Sequence, residues 1–276
     1  MTNQKSYREN YLEKKDEFLK RGEIIPDLEM IKTEEQIEGI RKAGAANTLV
    51  LDEVASKIRI GMTTDDINEI VNKKTKELGG IPAPLNYEGF PKSVCTSLND
   101  MVCHGIPDSR TVLKNGDIIN VDCTTIVDGY YGDASRMFLL GSVDEKGKKL
   151  CDVTLESLNL AVKTLKPYDH LRDIGYVIEK FCKSHGFTVV HEVGGHGVGV
   201  DFHEDPFVFH YGKQGTGMIM FPGMTFTIEP MVNEGRRNVY LDSSNNWTIY
   251  TSDGKRSAQY EYTLLMTYEG LEILSK

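Results

Sequence analysis

A short Asp-Gly turn joins two β-rich runs near the middle of the chain and limits how they can pair. The runs cover residues 117–127 and 130–140, with Asp128 and Gly129 between them. Asp-Gly favours a two-residue hairpin loop, whose twist matches that of the flanking strands. The sequence therefore predicts an antiparallel hairpin in which every cross-strand pair follows by counting outward from the loop.

Counting outward places two aspartates on one face of the hairpin. Asp122 faces Ser135, and Asp133 lies two residues from Ser135, so its side chain shares the face of Asp122. Such diagonal neighbours are roughly 7 Å apart at the backbone. Two buried, unpaired carboxylates would repel and raise each other's pKa, and a divalent cation between them removes that problem. The hairpin alone leaves two hypotheses open, a metal site and a solvated polar face.

Two later segments with strand periodicity each place a glutamate on a polar face. Alternation over residues 224–230 puts Glu229 on the polar side, and alternation over residues 257–267 does the same for Glu261. Each acid alone is most often a surface residue. Four strand segments with one acid each indicate a shared site.

The histidines add one further candidate ligand. His196 lies in a glycine-rich run that lets the backbone pass close to a site. No helix pattern follows, which excludes the dinucleotide fingerprint, and the spacing from His191 is one residue too long for a zincin helix. His104 follows Cys103, but neighbours on an extended chain point to opposite sides, so a thiol nucleophile is rejected. Alone, His104 and His203 favour a structural role. Four carboxylates and one histidine suit Mn, Fe, Co or Zn at two centres.

Helical patterns occur twice, each time ahead of strands. A capping box at Thr33 precedes one run of apolar residues at helical spacing, and a second such run covers residues 64–78. Residues 155–165 and 169–181 repeat this pair, and residues 187–193 form a further predicted strand. The repeat predicts two related halves with a ligand site where they meet, and chance similarity of helical stripes is the alternative.

Composition excludes several classes of protein. A net charge of −9 and a pI of about 5.4 disfavour non-specific nucleic-acid binding. No run approaches about 18 apolar residues, so no membrane span is predicted, and the charged N-terminus lacks the apolar stretch of a secretory signal. The five cysteines are odd in number and form no C-x-x-C pair, so neither a disulfide framework nor a zinc ribbon is predicted. A cytoplasmic location fits best.

Residues 1–32 carry less information than the rest of the chain. Residues 7–20 are highly charged and predict a solvated helix. Two interpretations stay open, a docking arm for another macromolecule and a plain surface extension, and we favour the second.

Five motifs, in order, resemble those of the type I methionine aminopeptidases. They lie at residues 95–107, Asp122 with 132–135, 195–204, 224–231 and 257–261. The match runs from about residue 33 to the end. It implies an α/β (α+β) pita-bread fold, in which pseudo-two-fold related halves form an antiparallel sheet flanked by helices. It further implies a catalytic domain over residues 33–276, preceded by a charged extension over residues 1–32.

The resemblance also implies the activity and the residues that carry it. The activity is removal of the initiator methionine from new polypeptides by a hydroxide that two divalent metal ions activate. The implied metal ligands are Asp122, Asp133, His196, Glu229 and Glu261, with Asp133 and Glu261 bridging. The implied catalytic residues are His104 and His203, which contact the substrate, and Glu229, which moves a proton. The implied methionine pocket consists of Tyr87, Cys95, Phe202 and Trp247.

The family pattern has two departures here. Tyr262 stands where the family often has histidine, which puts the tuning of Glu261 in doubt. The N-terminal zinc module of some relatives is predicted to be absent, because no cysteine precedes Cys95. The implied substrates are nascent chains that begin with methionine and a small second residue. Transient ribosome contact, a monomeric state, and no direct contact with nucleic acid or membrane complete the expectations.

Two rival functions share this fold. An Xaa-Pro aminopeptidase or dipeptidase would have a similar ligand set, but such enzymes usually carry a large additional N-terminal domain. A non-catalytic binding protein would typically have lost metal ligands, whereas all five positions here hold a competent residue.

Overall fold

The helices of the chain occur in two pairs and one N-terminal segment. The computed structural model describes residues 5–276. Within them the α-helices are α1 Tyr7–Lys20, α2 Glu34–Lys57, α3 Thr64–Glu77, α4 Glu145–Thr164 and α5 Leu171–Ser184. Two short 3-10 helices cover Leu28–Met30 and Tyr87–Gly89. No helix among these residues has the length and apolar character needed to cross a membrane.

The strands form one large sheet and two small ones. They are β1 Ile81–Pro82, β2 Cys95–Leu98, β3 Met101–Cys103, β4 Ile118–Val127, β5 Tyr130–Leu139, β6 Thr188–Val189, β7 Gly195–Gly197, β8 Glu204–Val208, β9 Thr225–Ile228, β10 Met231–Asn233, β11 Val239–Leu241, β12 Ile249–Thr251, β13 Ser257–Gln259, β14 Glu261–Met266 and β15 Leu271–Ser275. The large sheet has the order β1-β4-β5-β14-β9-β7-β8, with β2 on β4 and β15 on β14. The small sheets are β13-β10-β6 and β11-β12-β3.

The β4–β5 hairpin has the predicted register. Asp128 and Gly129 form the loop with φ values of 51° and 85°, as a primed turn requires. Asp122 lies opposite Ser135, so Asp133 shares its face of the sheet. The local turn chemistry therefore determines which hairpin side chains point toward the site.

Helices cover the other face of the sheet. Val121, Cys123 and Ala134 pack in one apolar cluster with residues of α2 and α3. Phe226 and Ile228 of β9 belong to a second cluster with α4 and α5. Each helix pair thus covers its own part of the sheet. The predicted order, a helix pair followed by strands, occurs two times along the chain and is confirmed.

Three predicted element boundaries were wrong. Helix α4 begins ten residues before the predicted segment 155–165, where the Asp144 carboxylate accepts a 2.8 Å hydrogen bond from the Gly147 N–H. The predicted strand over 257–267 is interrupted at Tyr260, because β13 pairs with β10 while β14 pairs with β5 and β9. The predicted strand over 187–193 is regular only in β6.

The N-terminal segment is a helix, but it is not solvated on all sides. Tyr11 and Phe18 of α1 are buried and both make edge-to-face contacts with Phe221, at centroid distances of 5.1 and 5.2 Å. The Tyr11 hydroxyl donates a 2.6 Å hydrogen bond to the Pro26 carbonyl. The expectation of a fully solvated helix was therefore wrong, since one face of α1 belongs to the main core.

Candidate metal centre

Three neighbouring strands align acidic residues across the large sheet. Glu261 of β14 lies opposite Ser135 of β5, which in turn lies opposite Asp122 of β4. Asp133 sits two residues from Ser135, and the Thr124 hydroxyl donates to its Oδ1 at 2.8 Å. Strand register alone thus gathers three carboxylates on one face.

Strands β7 and β9 bring a histidine and a fourth carboxylate to the same place. His196 is the middle residue of β7, and Glu229 directly follows β9. The Nε2 atom of His196 lies 3.8 Å from Asp133 Oδ2 and 3.7 Å from Glu229 Oε1. Its Nδ1 lies 2.9 Å from the Gly197 carbonyl oxygen, which can only accept, so Nδ1 carries the proton. The Nε2 lone pair therefore points to the carboxylates, as a metal ligand requires.

The electrostatics of this group are unfavourable without a cation. Burial raises the pKa of the Asp122 carboxyl to about 7. Burial and then the charges of neighbouring carboxylates raise the pKa values of Asp133, Glu229 and Glu261 well above their ordinary range. Burial lowers the pKa of His196 to about 3, which keeps the imidazole neutral.

The donor set fits divalent metal. Ligand atoms of Asp133, His196 and Glu261 all lie within 4.8 Å of one another. No lysine or arginine from residues 5–276 lines the cavity around them. Desolvated carboxylates with one neutral imidazole and no protein cation nearby match the preferences of first-row divalent ions.

Two further histidines line the cavity around these ligands. The His203 ring is 4.2 Å from the His196 ring, and a 2.9 Å hydrogen bond joins His203 Nδ1 to the Tyr87 hydroxyl. His104 adopts a left-handed backbone conformation with φ 56°, and its ring packs edge-on to Trp247 at 6.3 Å. Burial, and next the charge of His203, lower the pKa of His104 to about 4, while burial lowers that of His203. Both can therefore donate a hydrogen bond as neutral imidazoles.

An apolar wall faces the carboxylates. Tyr87 and Phe202 pack at a centroid distance of 4.8 Å, and Cys95 lies beside them in the lining. Trp247 packs edge-to-face on Phe90 at 5.2 Å. Phe90 belongs to this wall although sequence reasoning did not select it. Its closeness to Tyr87 in the chain was the available signal.

Every residue predicted for the site lines a single cavity of about 670 Å³. Its lining includes Tyr87, Cys95, His104, Asp122, Asp133, His196, Phe202, His203, Glu229, Trp247 and Glu261. The structure thus brings together residues drawn from more than half of the chain length.

Several supporting residues were missed. The Thr227 hydroxyl donates to Glu229 Oε1 at 2.8 Å and accepts from the His196 N–H at 3.1 Å. Gln259 Nε2 donates to Glu229 Oε2 at 3.2 Å. The Glu229 N–H donates to Nε2 of the fully buried His210 at 3.1 Å. Strand alternation could have found Thr227, whereas nothing in the sequence singles out His210.

Tyr262 points away from the cavity, as predicted. It packs against the cluster that contains α4 and α5, and its hydroxyl lies 3.4 Å from Asn159 Oδ1 of α4. The adjacent Glu261 faces the cavity instead. The substitution at residue 262 therefore changes the helix-facing side of β14.

Comparisons with known proteins agree in sequence and in fold. The sequence pattern of metallopeptidase family M24 matches residues 38–268. The methionine aminopeptidase of Escherichia coli (strain K12) is 46% identical over 246 residues, which is 89% of this chain and 93% of that protein. Methionine aminopeptidase A of Synechocystis sp. is 48% identical over 241 residues, covering 87% and 94%. The crystal structure of methionine aminopeptidase from Rickettsia prowazekii superposes with a TM-score of 0.87 at 42% identity, covering 89% of this chain and 99% of that one.

Proposed function

The chain belongs to the methionine aminopeptidases of metallopeptidase family M24, and we infer that it removes N-terminal methionine from polypeptides by metal-dependent hydrolysis. The observation that carries this function is 46% and 48% identity to methionine aminopeptidases over most of both chains. The predicted pita-bread fold is confirmed by the TM-score of 0.87 to a solved relative. A metallopeptidase of this family requires divalent metal.

We propose that two divalent ions bind, and that they are Co, Mn, Fe or Zn. The proposed ligands are Asp122, Asp133, His196, Glu229 and Glu261. Their distances support this assignment, since three of them offer ligand atoms within 4.8 Å of one another. Asp133 and Glu261 would be shared between the two ions, Asp122 would hold one of them, and His196 with Glu229 would hold the other.

Bound metal would polarise the scissile carbonyl and make water nucleophilic near neutral pH. The protein supplies the remaining steps. Glu229 would take the proton of the attacking water and pass it to the leaving amine. Hydrogen bonds from Thr227 and Gln259 hold both of its oxygens in place for this transfer. His104 and His203 would donate hydrogen bonds where negative charge develops on the carbonyl oxygen.

The apolar wall would select the side chain of the first residue. Tyr87, Cys95, Phe202 and Trp247 offer aromatic faces and sulfur to an unbranched thioether, a favourable surrounding for methionine. A free α-amine would lie toward the carboxylates, because four acidic groups line that side. The leaving chain would extend out of the cavity, and we propose that it begins with a small second residue.

The cellular setting is also a proposal. We propose that the substrates are nascent chains, met in the cytoplasm by a monomeric enzyme that contacts the ribosome transiently, without binding nucleic acid or membrane itself. All five cysteines are buried and free, which suits a reducing compartment. In the proposed division, residues 33–276 form the catalytic domain and residues 1–32 a charged extension, whose helix α1 packs against that domain.

Peptide specificity tests the function. Purified protein loaded with Mn²⁺ is assayed on Met-Ala-Ser, with Leu-Ala-Ser and Ala-Pro-Ala as matched controls. We expect release of methionine from the first peptide and little cleavage of the other two. Cleavage of Ala-Pro-Ala alone would move the protein to the proline-specific branch. No cleavage with any of the four metals would favour a binding protein.

A further inference from the structure

Lys32 is a buried lysine close to the substrate cavity. Its side chain is only 2% exposed, and it is among the largest fully buried side chains in residues 5–276. Its ammonium pairs with the carboxylate of Glu204, and no other acceptor for Lys32 Nζ occurs in the described chain. A buried lysine with a single carboxylate partner is rare, because desolvating the charge is costly unless the pair is well held.

The lysine backbone is anchored from both sides. The Lys32 N–H donates to the Gly223 carbonyl at 2.9 Å, just before β9. The preceding carbonyl, that of Ile31, accepts a 2.7 Å hydrogen bond from Arg8 Nε of α1. These two hydrogen bonds fix the backbone at Lys32, and its side chain extends from there into the protein interior. It also lies outside the segment that matches the family pattern, residues 38–268.

Glu204 contacts both Lys32 and the turn between β7 and β8. One carboxylate oxygen of Glu204 faces the lysine, and the other accepts from the N–H groups of Val200 and Asp201 at 2.7 and 2.9 Å. The carboxylate thus closes the turn over residues 199–203 from inside. A carboxylate that accepts several backbone N–H groups fixes the backbone that presents them.

That turn presents two side chains to the cavity. Phe202 packs on Tyr87 in the apolar wall, and His203 lies 4.2 Å from the His196 ring. The side chain of His203 reaches solvent on one side, and on the other its ring packs on His196 and Phe202. Its position depends on the Tyr87 hydrogen bond and on the backbone of the turn.

We propose that Lys32 is a positioning residue, which through Glu204 holds the turn over residues 199–203 in the conformation that places Phe202 and His203 against substrate. The proposal rests on the proposed aminopeptidase function. Lys32 touches neither the proposed metal ligands nor the substrate, so its loss disturbs the turn and leaves the metal centre assembled. Small displacements of positioned groups lower rates by about 10- to 100-fold.

The test compares Lys32→Met with a surface control, Lys146→Met, whose lysine side chain is 56% exposed. Lys146 also pairs with a largely buried glutamate, Glu234, whose side chain is 10% exposed against 15% for Glu204. Neither Lys146 nor Glu234 lines the cavity. Both variants are assayed on Met-Ala-Ser for kcat and KM, titrated with Mn²⁺ by calorimetry, and examined by hydrogen–deuterium exchange over residues 198–205.

We expect Lys32→Met to lower kcat/KM by about 10- to 100-fold. Exchange at Val200 and Asp201 should become at least about tenfold faster, because their acceptor is no longer held. Mn²⁺ affinity should stay within about threefold, and Lys146→Met should match the wild type in all three measurements. The double variant Lys32→Met, Glu204→Gln should recover part of the loss, since the neutral amide oxygen can still accept from the turn.

Three results would overturn the proposal. Unchanged exchange over residues 198–205 in folded Lys32→Met would show that the pair does not hold the turn. Loss of Mn²⁺ binding in parallel with activity would assign the effect to general damage. An equal loss in Lys146→Met would do the same. If Lys32→Met does not fold, Glu204→Gln and the double variant give the same comparison. Because exchange needs no turnover, an inactive wild type would refute the function and leave this test intact.

Discussion

The Thr227 hydroxyl donates a 2.8 Å hydrogen bond to Glu229 Oε1, and this bond fixes a carboxylate that has no lysine or arginine partner among residues 5–276. Thr227 Oγ1 also accepts a hydrogen bond from the His196 backbone N–H at 3.1 Å, so one threonine orients two proposed ligands. Removing a group that orients metal ligands typically lowers affinity by about 10- to 100-fold.

Thr227→Val should therefore weaken Mn²⁺ binding by about 10- to 100-fold with little change in volume. Calorimetric titration of metal-stripped protein measures the effect. Thr164→Val is the control, because its hydroxyl donates only to the Leu160 and Ala161 carbonyls within α4, away from the cavity. Equal affinities in the two variants would show that Thr227 does not orient the ligands.

Asp133→Asn should abolish turnover and leave the fold intact. Asp133 is buried at the centre of the donor set, and an amide cannot bridge two cations as a carboxylate does. We expect kcat/KM for Met-Ala-Ser to fall by more than about 100-fold, because residues that only orient the ligands typically cost about 10- to 100-fold. Circular dichroism verifies folding. Near-normal activity would remove the bridging assignment.

The metal-free protein should lose stability as pH rises above neutrality. Burial raises the pKa of Asp122 to about 7, and burial with neighbouring carboxylates raises the pKa values of Asp133, Glu229 and Glu261 well above their ordinary range. A carboxyl whose pKa is raised in the folded state stabilises the fold most below about pH 4, its unfolded pKa. That contribution disappears as pH rises through the folded-state value. The free energy of unfolding should fall by a few kcal/mol, on the order of one per pKa unit.

The pH window must avoid the histidines. Burial lowers the pKa values of His104, His196 and His210 to about 4, 3 and 3. Below about pH 6.5 these histidines bind protons in the unfolded state and not in the folded state, so they make stability rise with pH. Above about pH 6.5 that opposing contribution ends. Urea unfolding in chelator between pH 6.5 and 7.5 therefore isolates the carboxylates. Burial also raises the pKa values of the five cysteines, and these begin to contribute only as pH approaches about 8.5, the pKa of an unfolded thiol. Asp133→Asn should give a shallower slope, and Mn²⁺ should remove the decline. A stability that rises across this window would contradict the account.

Trp247→Ala should weaken selection of methionine. Trp247 forms one side of the apolar wall on the loop between β11 and β12. We expect kcat/KM for Met-Ala-Ser to fall by about 10- to 100-fold, since a difference of even one methylene group in an apolar substrate pocket is worth roughly 1–3 kcal/mol. Tyr250→Ala is the control, because Tyr250 of β12 stacks on Tyr240 outside the cavity. Equal losses would assign the effect to the hairpin and not to the wall.

Local chemistry made much of this structure predictable. The Asp128-Gly129 loop fixes the register of β4 and β5, so the shared face of Asp122 and Asp133 follows from counting. The capping box at Thr33 likewise marks the start of α2, where Thr33 Oγ1 accepts the Gln36 N–H. Signals of this kind act within a few residues and do not need the rest of the fold.

Long-range packing was not predictable in the same way. Tyr260 interrupts a segment whose alternation looks continuous, because its two parts pair with different strands. Lys32 belongs to a charged segment, yet it is buried against Glu204, 172 residues away in the chain. His210 has no local pattern, and only the position of the Glu229 N–H gives it a role. Such features depend on the assembled sheet.

The most direct test of the central claim follows methionine release from Met-Ala-Ser while metal-stripped protein is titrated with Mn²⁺. We predict no release in chelator, release that rises with added Mn²⁺ in the wild type, and none at any Mn²⁺ concentration in Asp133→Asn. Undiminished release in chelator, or equal release by Asp133→Asn, would contradict the assignment of the carboxylate cluster as the metal centre of an aminopeptidase.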